Sequence, residues 1–127
     1  CKRCSELHKI VPRAMTKCVP KGWGYELWIH NDEKYCGKRL HFNAGKKCSL
    51  HYHKLKYETF YVQTGCLKCT IQNASGSYDT IIMRPGDIME VPANTVHQME
   101  ALHEDVDMFE FSTQHFDDDS YRLKKGD

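Results

Sequence analysis

The stretch Gly45-Lys46-Lys47-Cys48-Ser49-Leu50-His51-Tyr52-His53-Lys54-Leu55-Lys56-Tyr57-Glu58-Thr59-Phe60-Tyr61-Val62-Gln63-Thr64-Gly65 decides how the rest of the chain reads. His51 and His53 stand two apart, so on a β-strand both imidazoles point to one face while Leu50 and Tyr52 take the other. Glu58 heads a second β-prone run, Glu58-Thr59-Phe60-Tyr61-Val62. A turn after His53 brings that carboxylate back beside the two rings. Two imidazoles and a carboxylate on one face make a first-row metal site that lacks one ligand. Within this stretch alone, two histidines facing solvent from one strand would look the same.

Working outward, short β-runs alternate with turn signals. Tyr25 to His30 is one run, closed by Asn31-Asp32, and Tyr35 to Asn43 is the next, with Leu40 and Phe42 on one face and Arg39 and His41 on the other. Cys48 to His53, Tyr57 to Thr64, Cys66 to Asn73 and Tyr78 to Met83 follow. After the turn at Arg84-Pro85-Gly86 come Asp87 to Val91, Val96 to Leu102 and Val106 to Ser112. About nine strands with no 3.6-residue periodicity predict an all-β sandwich or barrel. Residues 1–22 are expected to form an amino-terminal arm or a single short outer strand, residues 23–114 the barrel, and residues 115–127 a short solvated tail with at most one helical turn. Within that tail the Asp117-Asp118-Asp119 run is given no function.

The chain has 127 residues, enough for one core and too few for two. Its 18 basic and 17 acidic side chains are interspersed and leave a net charge of +1, which argues against nucleic acid or an anionic membrane as the main partner. The longest apolar runs, such as Ile81-Ile82-Met83, are too short to span a bilayer, and no secretory signal is visible. Seven cysteines without scaffold spacing are expected as reduced thiols in a cytoplasmic protein. Cys1-x-x-Cys4 and Cys66-x-x-Cys69 together would suggest a four-thiolate zinc site, but residues three apart on a strand face opposite sides.

A second stretch, Gly86-x5-Pro92-x-Asn94-x2-His97, places a third imidazole just after a proline turn. With Gly45-x5-His51-x-His53-x4-Glu58-x6-Gly65, it resembles the two sequence motifs of the cupin superfamily. The first matches at every defining position. The second departs twice, with Asn94 where glycine is usual and Ala101 where asparagine is usual. Asparagine tolerates left-handed backbone, so the turn should survive. The resemblance implies a single cupin jelly-roll β-barrel holding one divalent transition metal through His51, His53, Glu58 and His97. Fe, Mn, Ni, Co and Zn all suit that ligand set.

A finer resemblance runs through Lys21-Gly22-Trp23-Gly24-Tyr25-Glu26, Lys38-Arg39-Leu40 and Lys54-Leu55-Lys56-Tyr57-Glu58. These elements look like the single-cupin mannose-6-phosphate isomerase type, except that Lys56 holds a position where that family has arginine. Lysine keeps the charge but loses the bidentate geometry. What this implies is a sugar or sugar-phosphate isomerase or epimerase working on a metal-polarised carbonyl. An Fe(II)-dependent dioxygenase and a non-catalytic metabolite-binding protein are the alternatives. Lys38 shares a face with Leu40 and Phe42, so it is expected to point into the barrel as a substrate contact, and a buried lysine near a metal calls for an anion. Lys38 and Glu110 are the candidate catalytic bases. Lys38, Lys56 and Trp23 are the candidate substrate contacts, although Trp23 would serve equally to staple the arm. His103 and Glu110 are expected on strand runs after the second motif, where inward and surface positions are both open and the surface one is favoured. Tyr57, Tyr61 and Val11 find no place in a single barrel, so a homodimer is expected.

Overall fold

A computed structural model describes Val11 and residues 16–127. Eleven strands run through it: β1 (Lys17–Lys21), β2 (Gly24–Asn31), β3 (Cys36–Phe42), β4 (Leu50–Tyr52), β5 (Glu58–Thr64), β6 (Leu67–Gln72), β7 (Tyr78–Met83), β8 (Ile88–Val91), β9 (His97–Ala101), β10 (Val106–Ser112) and β11 (Tyr121–Lys124). They form a six-stranded sheet in the order β1-β2-β3-β10-β5-β8 and a five-stranded sheet in the order β11-β4-β9-β6-β7. The strands pair antiparallel throughout. The fold is all-β, as the period-2 pattern predicts, and a jelly roll, as the cupin resemblance implies.

Alternation explains the interior. Cys36, Lys38, Leu40 and Phe42 on β3 are all buried, and so are Val106, Met108 and Glu110 on β10 and Glu58, Phe60 and Val62 on β5. Register then lines these positions up across the sheet. Lys38 lies opposite Glu110, which lies opposite Phe60, while Leu40 lies opposite Met108, which lies opposite Val62. One end of the barrel is therefore apolar, filled by Leu40, Phe42, Val62, Leu67, Met83 and Met108. The other end buries ionisable groups.

The turn before β9 works as the sequence implied. Asn94 has φ 62, in the left-handed region that asparagine enters more readily than most residues, and its N–H donates to His53 O at 2.6 Å. The turn is thereby tied directly to the β4 segment.

Three expectations are corrected. The described residues form eleven strands against the nine runs counted from sequence: Lys17–Lys21, the short outer strand allowed for within residues 1–22, pairs with β2, and Tyr121–Lys124 pairs with β4. The tail is accordingly not a solvated turn: Tyr121 stacks on Tyr52 at 5.1 Å between ring centroids, and Asp119 is only 4% exposed. His103 is not on a strand but in the exposed turn joining β9 to β10. Cys66 is half-buried and Cys69 packs its sulfur 3.5 Å from that of Met83. Cys18, Cys36, Cys48, Cys66 and Cys69 are free thiols. Cys1 and Cys4 lie outside the described residues, as does most of the predicted arm.

Candidate metal centre

Three histidines reach one point from two adjacent strands. His51 on β4 stands directly opposite His97 on β9, and His53 follows at the end of β4. One ring nitrogen from each lies within 4.8 Å of the others. Each ring is turned by a backbone carbonyl. His51 Nδ1 donates to Ser49 O at 2.8 Å, His53 Nδ1 to Asp119 O at 2.6 Å, and His97 Nδ1 to Thr95 O at 2.9 Å. Spending the Nδ1 proton on a carbonyl leaves Nε2 as the inward lone pair, the tautomer a metal needs.

Glu58 completes the cluster from the first position of β5. Its Oε2 is 3.2 Å from His97 Nε2 and its Oε1 is 3.6 Å from His53 Nε2. Despite the 3.2 Å separation, His97 Nε2 and Glu58 Oε2 are both buried and neither has a hydrogen-bond partner. Two such orphaned atoms are costly unless something between them accepts both lone pairs. Three imidazole nitrogens and a carboxylate converging on one point fit a first-row divalent cation.

The electrostatics agree. Burial, with the neighbouring His97 next in effect, pushes His51 down to about 3, so its ring is neutral at physiological pH. Burial also lowers His53. For His97 burial acts downward too, but the Glu58 carboxylate outweighs it and the net direction is up. Glu58 is held far below the ordinary carboxylate range: burial opposes this, while His97 and Lys56 more than compensate. The cluster thus presents an anionic oxygen and two imidazoles, His51 and His53, held toward the neutral form that binds cations, while the Glu58 carboxylate favours the charged form of His97.

A cavity of about 490 Å³ opens over His51, His53 and Glu58. Its wall carries the other buried charges. Lys56 Nζ sits 3.1 Å from Glu58 Oε1, 3.0 Å from Glu110 Oε2 and 3.0 Å from His115 Nδ1. Lys38, 1% exposed, pairs with Glu26 Oε1 at 3.3 Å and lies 4.2 Å above the Trp28 ring. Trp28 Nε1 donates to the same Glu26 oxygen at 2.9 Å. Burial is the main force raising Glu110, with the charge of Glu58 adding to it, against the pull of Lys56 and Lys38.

Of the residues nominated from sequence, His51, His53, Glu58 and His97 come together, and Lys38, Lys56 and Glu110 line the same cavity. Glu110 is 5% exposed, which corrects the expectation of a surface position. Its inward direction follows from β10 alternation, since Val106 and Met108 share its face. Trp23 also lines the cavity, but its indole stacks on Phe42 at 4.1 Å and belongs to the core. Sequence reasoning missed Glu26, Trp28, His115 and Asp119. For Glu26 and Trp28 the signal was present, because both lie on the inward register of β2. His115 and Asp119 follow the last long strand and gave none.

The sequence profile of the cupin domain family matches residues 38–113. The chain belongs to the cupin family. Its similarity to a D-lyxose ketol-isomerase of Thermofilum sp. (strain ex4484_79) is 29% identity over 119 residues, covering 76% of this cupin and 66% of that protein. Among solved structures, an oxalate decarboxylase of Bacillus subtilis superposes with a TM-score of 0.78 at 20% identity, over 91% of this chain and 34% of that one. The capsular polysaccharide assembling protein CapF of Staphylococcus aureus gives 0.76 at 16% identity, over 90% and 37%. At these identities the structural likeness shows the fold alone. This cupin spans just under two thirds of the matched isomerase and about a third of each of those structural neighbours.

Proposed function

We propose that this cupin is a metal-dependent sugar isomerase that interconverts an aldose and its 2-ketose. The observation that carries the reading is the convergence of His51, His53, Glu58 and His97 beneath a cavity whose wall holds the buried carboxylate of Glu110. The similarity to a D-lyxose ketol-isomerase supports the same class. A divalent cation held by those four side chains would supply polarisation of the sugar carbonyl.

The remaining chemistry belongs to the protein. Isomerisation moves a proton from C2 of the aldose to C1, and the O2 hydroxyl proton passes to O1. Glu110 is proposed as the carbon-proton carrier: it is a carboxylate, is 5% exposed, and lines the cavity. Lys38, fixed by Glu26 and Trp28, is proposed to hold sugar hydroxyls, and Trp23 to wall the apolar side of the cavity. Lys56 is engaged by two carboxylates and a histidine, so we assign it to positioning Glu58 and Glu110. That leaves it unavailable to a phosphate and favours free sugars over sugar phosphates.

The test is anaerobic incubation of Mn(II)- or Co(II)-loaded protein with D-lyxose and related aldoses in D2O. Ketose should accumulate, with deuterium entering at C1. Absence of interconversion across the aldose panel, with one metal bound per chain, would remove the isomerase reading. Oxygen uptake with Fe(II) would replace it with a dioxygenase, and sugar binding without turnover with a binding protein. A homodimer in the cytoplasm is part of the same proposal. Tyr57 and Tyr61 are 58% and 37% exposed, and sedimentation of the folded protein as a monomer at high concentration would refute the dimer.

A further inference from the structure

Asp119 touches the metal centre and the loop of Lys56 at once, although it lies beyond the residues that match the cupin profile. Its main-chain oxygen is the acceptor for His53 Nδ1 at 2.6 Å. Its carboxylate takes the N–H groups of three successive residues. Lys54 N lies 2.9 Å from Oδ1, Leu55 N lies 3.2 Å from each oxygen, and Lys56 N lies 3.2 Å from Oδ2. Consecutive N–H groups aimed at one anion form a concave nest, and these charge-assisted bonds are buried with an aspartate that is 4% exposed. Just after it in the chain, β11 pairs with β4, placing Tyr121 against Tyr52 and Arg122 against His51.

We propose that Asp119 is the positioning residue of the metal centre, setting His53 through its carbonyl and Lys56 and Glu58 through the 54–56 loop. His53 cannot turn while its Nδ1 proton is held, and the loop cannot shift Lys56 while three of its N–H groups are held. Two links from one residue thus reach two parts of the cluster, the His53 ring and the loop that carries Lys56 to Glu58. The neighbouring Asp117 and Asp118 are exposed, so the acidic run as a whole does not do this.

This inference rests on the metal reading of His51, His53, Glu58 and His97, and the experiment separates the two. Co(II) is titrated into metal-free wild type, Asp119→Ala, Asp119→Asn and, as a control, Asp118→Ala, following the dissociation constant and the Co(II) absorption spectrum. Folding is checked by thermal unfolding in chelator. Wild type and Asp118→Ala should bind alike. Asp119→Ala keeps the main-chain acceptor for His53 but loses the carboxylate that anchors it to the 54–56 loop. It should bind about 10- to 100-fold more weakly with an altered spectrum, the range for loss of a partner beyond the ligands themselves. Asp119→Asn keeps one acceptor oxygen and nearly the same volume, so it should fall between them. It becomes the deciding variant if Asp119→Ala does not fold. Wild-type affinity and spectrum in a folded Asp119 variant would overturn the proposal. Failure of the wild type to bind Co(II) would instead overturn the metal reading.

Discussion

Glu110 Oε2 accepts a hydrogen bond from Lys56 Nζ at 3.0 Å, deep in the barrel and 54 residues away in sequence. The pair fixes the carboxylate proposed to move protons in the cavity. Glu110→Gln keeps an acceptor for Lys56 while removing the base. Turnover should fall about 10²- to 10⁴-fold, the usual contribution of a general acid–base group. Metal stoichiometry should stay at one. Initial-rate kinetics with metal analysis decides the matter, and near-normal kcat would transfer the role to Lys38.

Lys56 also holds Glu58 at 3.1 Å, so a single ammonium serves two buried carboxylates. Burial works against the charge on Lys56, but the carboxylates outweigh it and raise the group above the ordinary lysine value. Removing one partner of a buried ionic cluster leaves the other uncompensated. Lys56→Met should therefore destabilise the metal-free protein by about 3–5 kcal/mol. Adding Glu110→Gln should recover part of that loss in a double-mutant cycle. Urea unfolding measures both, and strict additivity would show that the two residues are not coupled.

His97 Nε2 and Glu58 Oε2 are buried orphans, and a bound ion would satisfy both. Metal should then stabilise the fold by mass action, by about 4 kcal/mol when free ion is a thousandfold above its dissociation constant. Calorimetry should show the unfolding temperature rising by about 10–20 °C with Mn(II) or Co(II) at that excess and returning with chelator. His97→Ala and His51→Ala should abolish the metal-dependent rise. A rise that survives either substitution places the ion elsewhere.

The metal cluster was legible because its spacing is set locally. Alternation carries His51 and His53 to one face, and a proline turn presents His97. Lys38 was legible for the same reason, sharing the buried face of β3 with Leu40. Glu110 obeyed the same rule on β10, but a carboxylate after two apolar residues reads as a strand end meeting water. The ammonium of Lys56, brought in by a separate loop, and the Ser112 hydroxyl make its burial tolerable. Asp119 is harder still. Three aspartates in a row look solvated, and nothing local singles out the one whose partners are 63 to 66 residues earlier. Contacts that close the barrel across such separations are tertiary, and no local period encodes them.

His115 ties this network to solvent and gives it a pH signature. Lys56 Nζ is a donor, so His115 Nδ1 must accept, and Nε2–H then donates to Asp117 Oδ1 at 3.0 Å. Protonating Nδ1 would set two cations against each other. Burial first, and Lys56 and Lys38 after it, lower His115 to about 4. An unfolded histidine titrates near 6.5. Between about 6.5 and 4 the unfolded chain thus binds a proton that the folded chain refuses, so stability rises with pH. This contribution is complete above about 6.5 and is lost as pH falls toward 4. His115→Gln should make the acid decline in urea midpoint shallower across that window. His51 and His53, also lowered, remain in the variant and keep some slope. Asp117 loses its partner as well, but its carboxyl is shifted downward and titrates below the window. Both proteins are compared in chelator, which separates this effect from acid release of metal. Parallel declines for wild type and variant would show that His115 is not held neutral by Lys56.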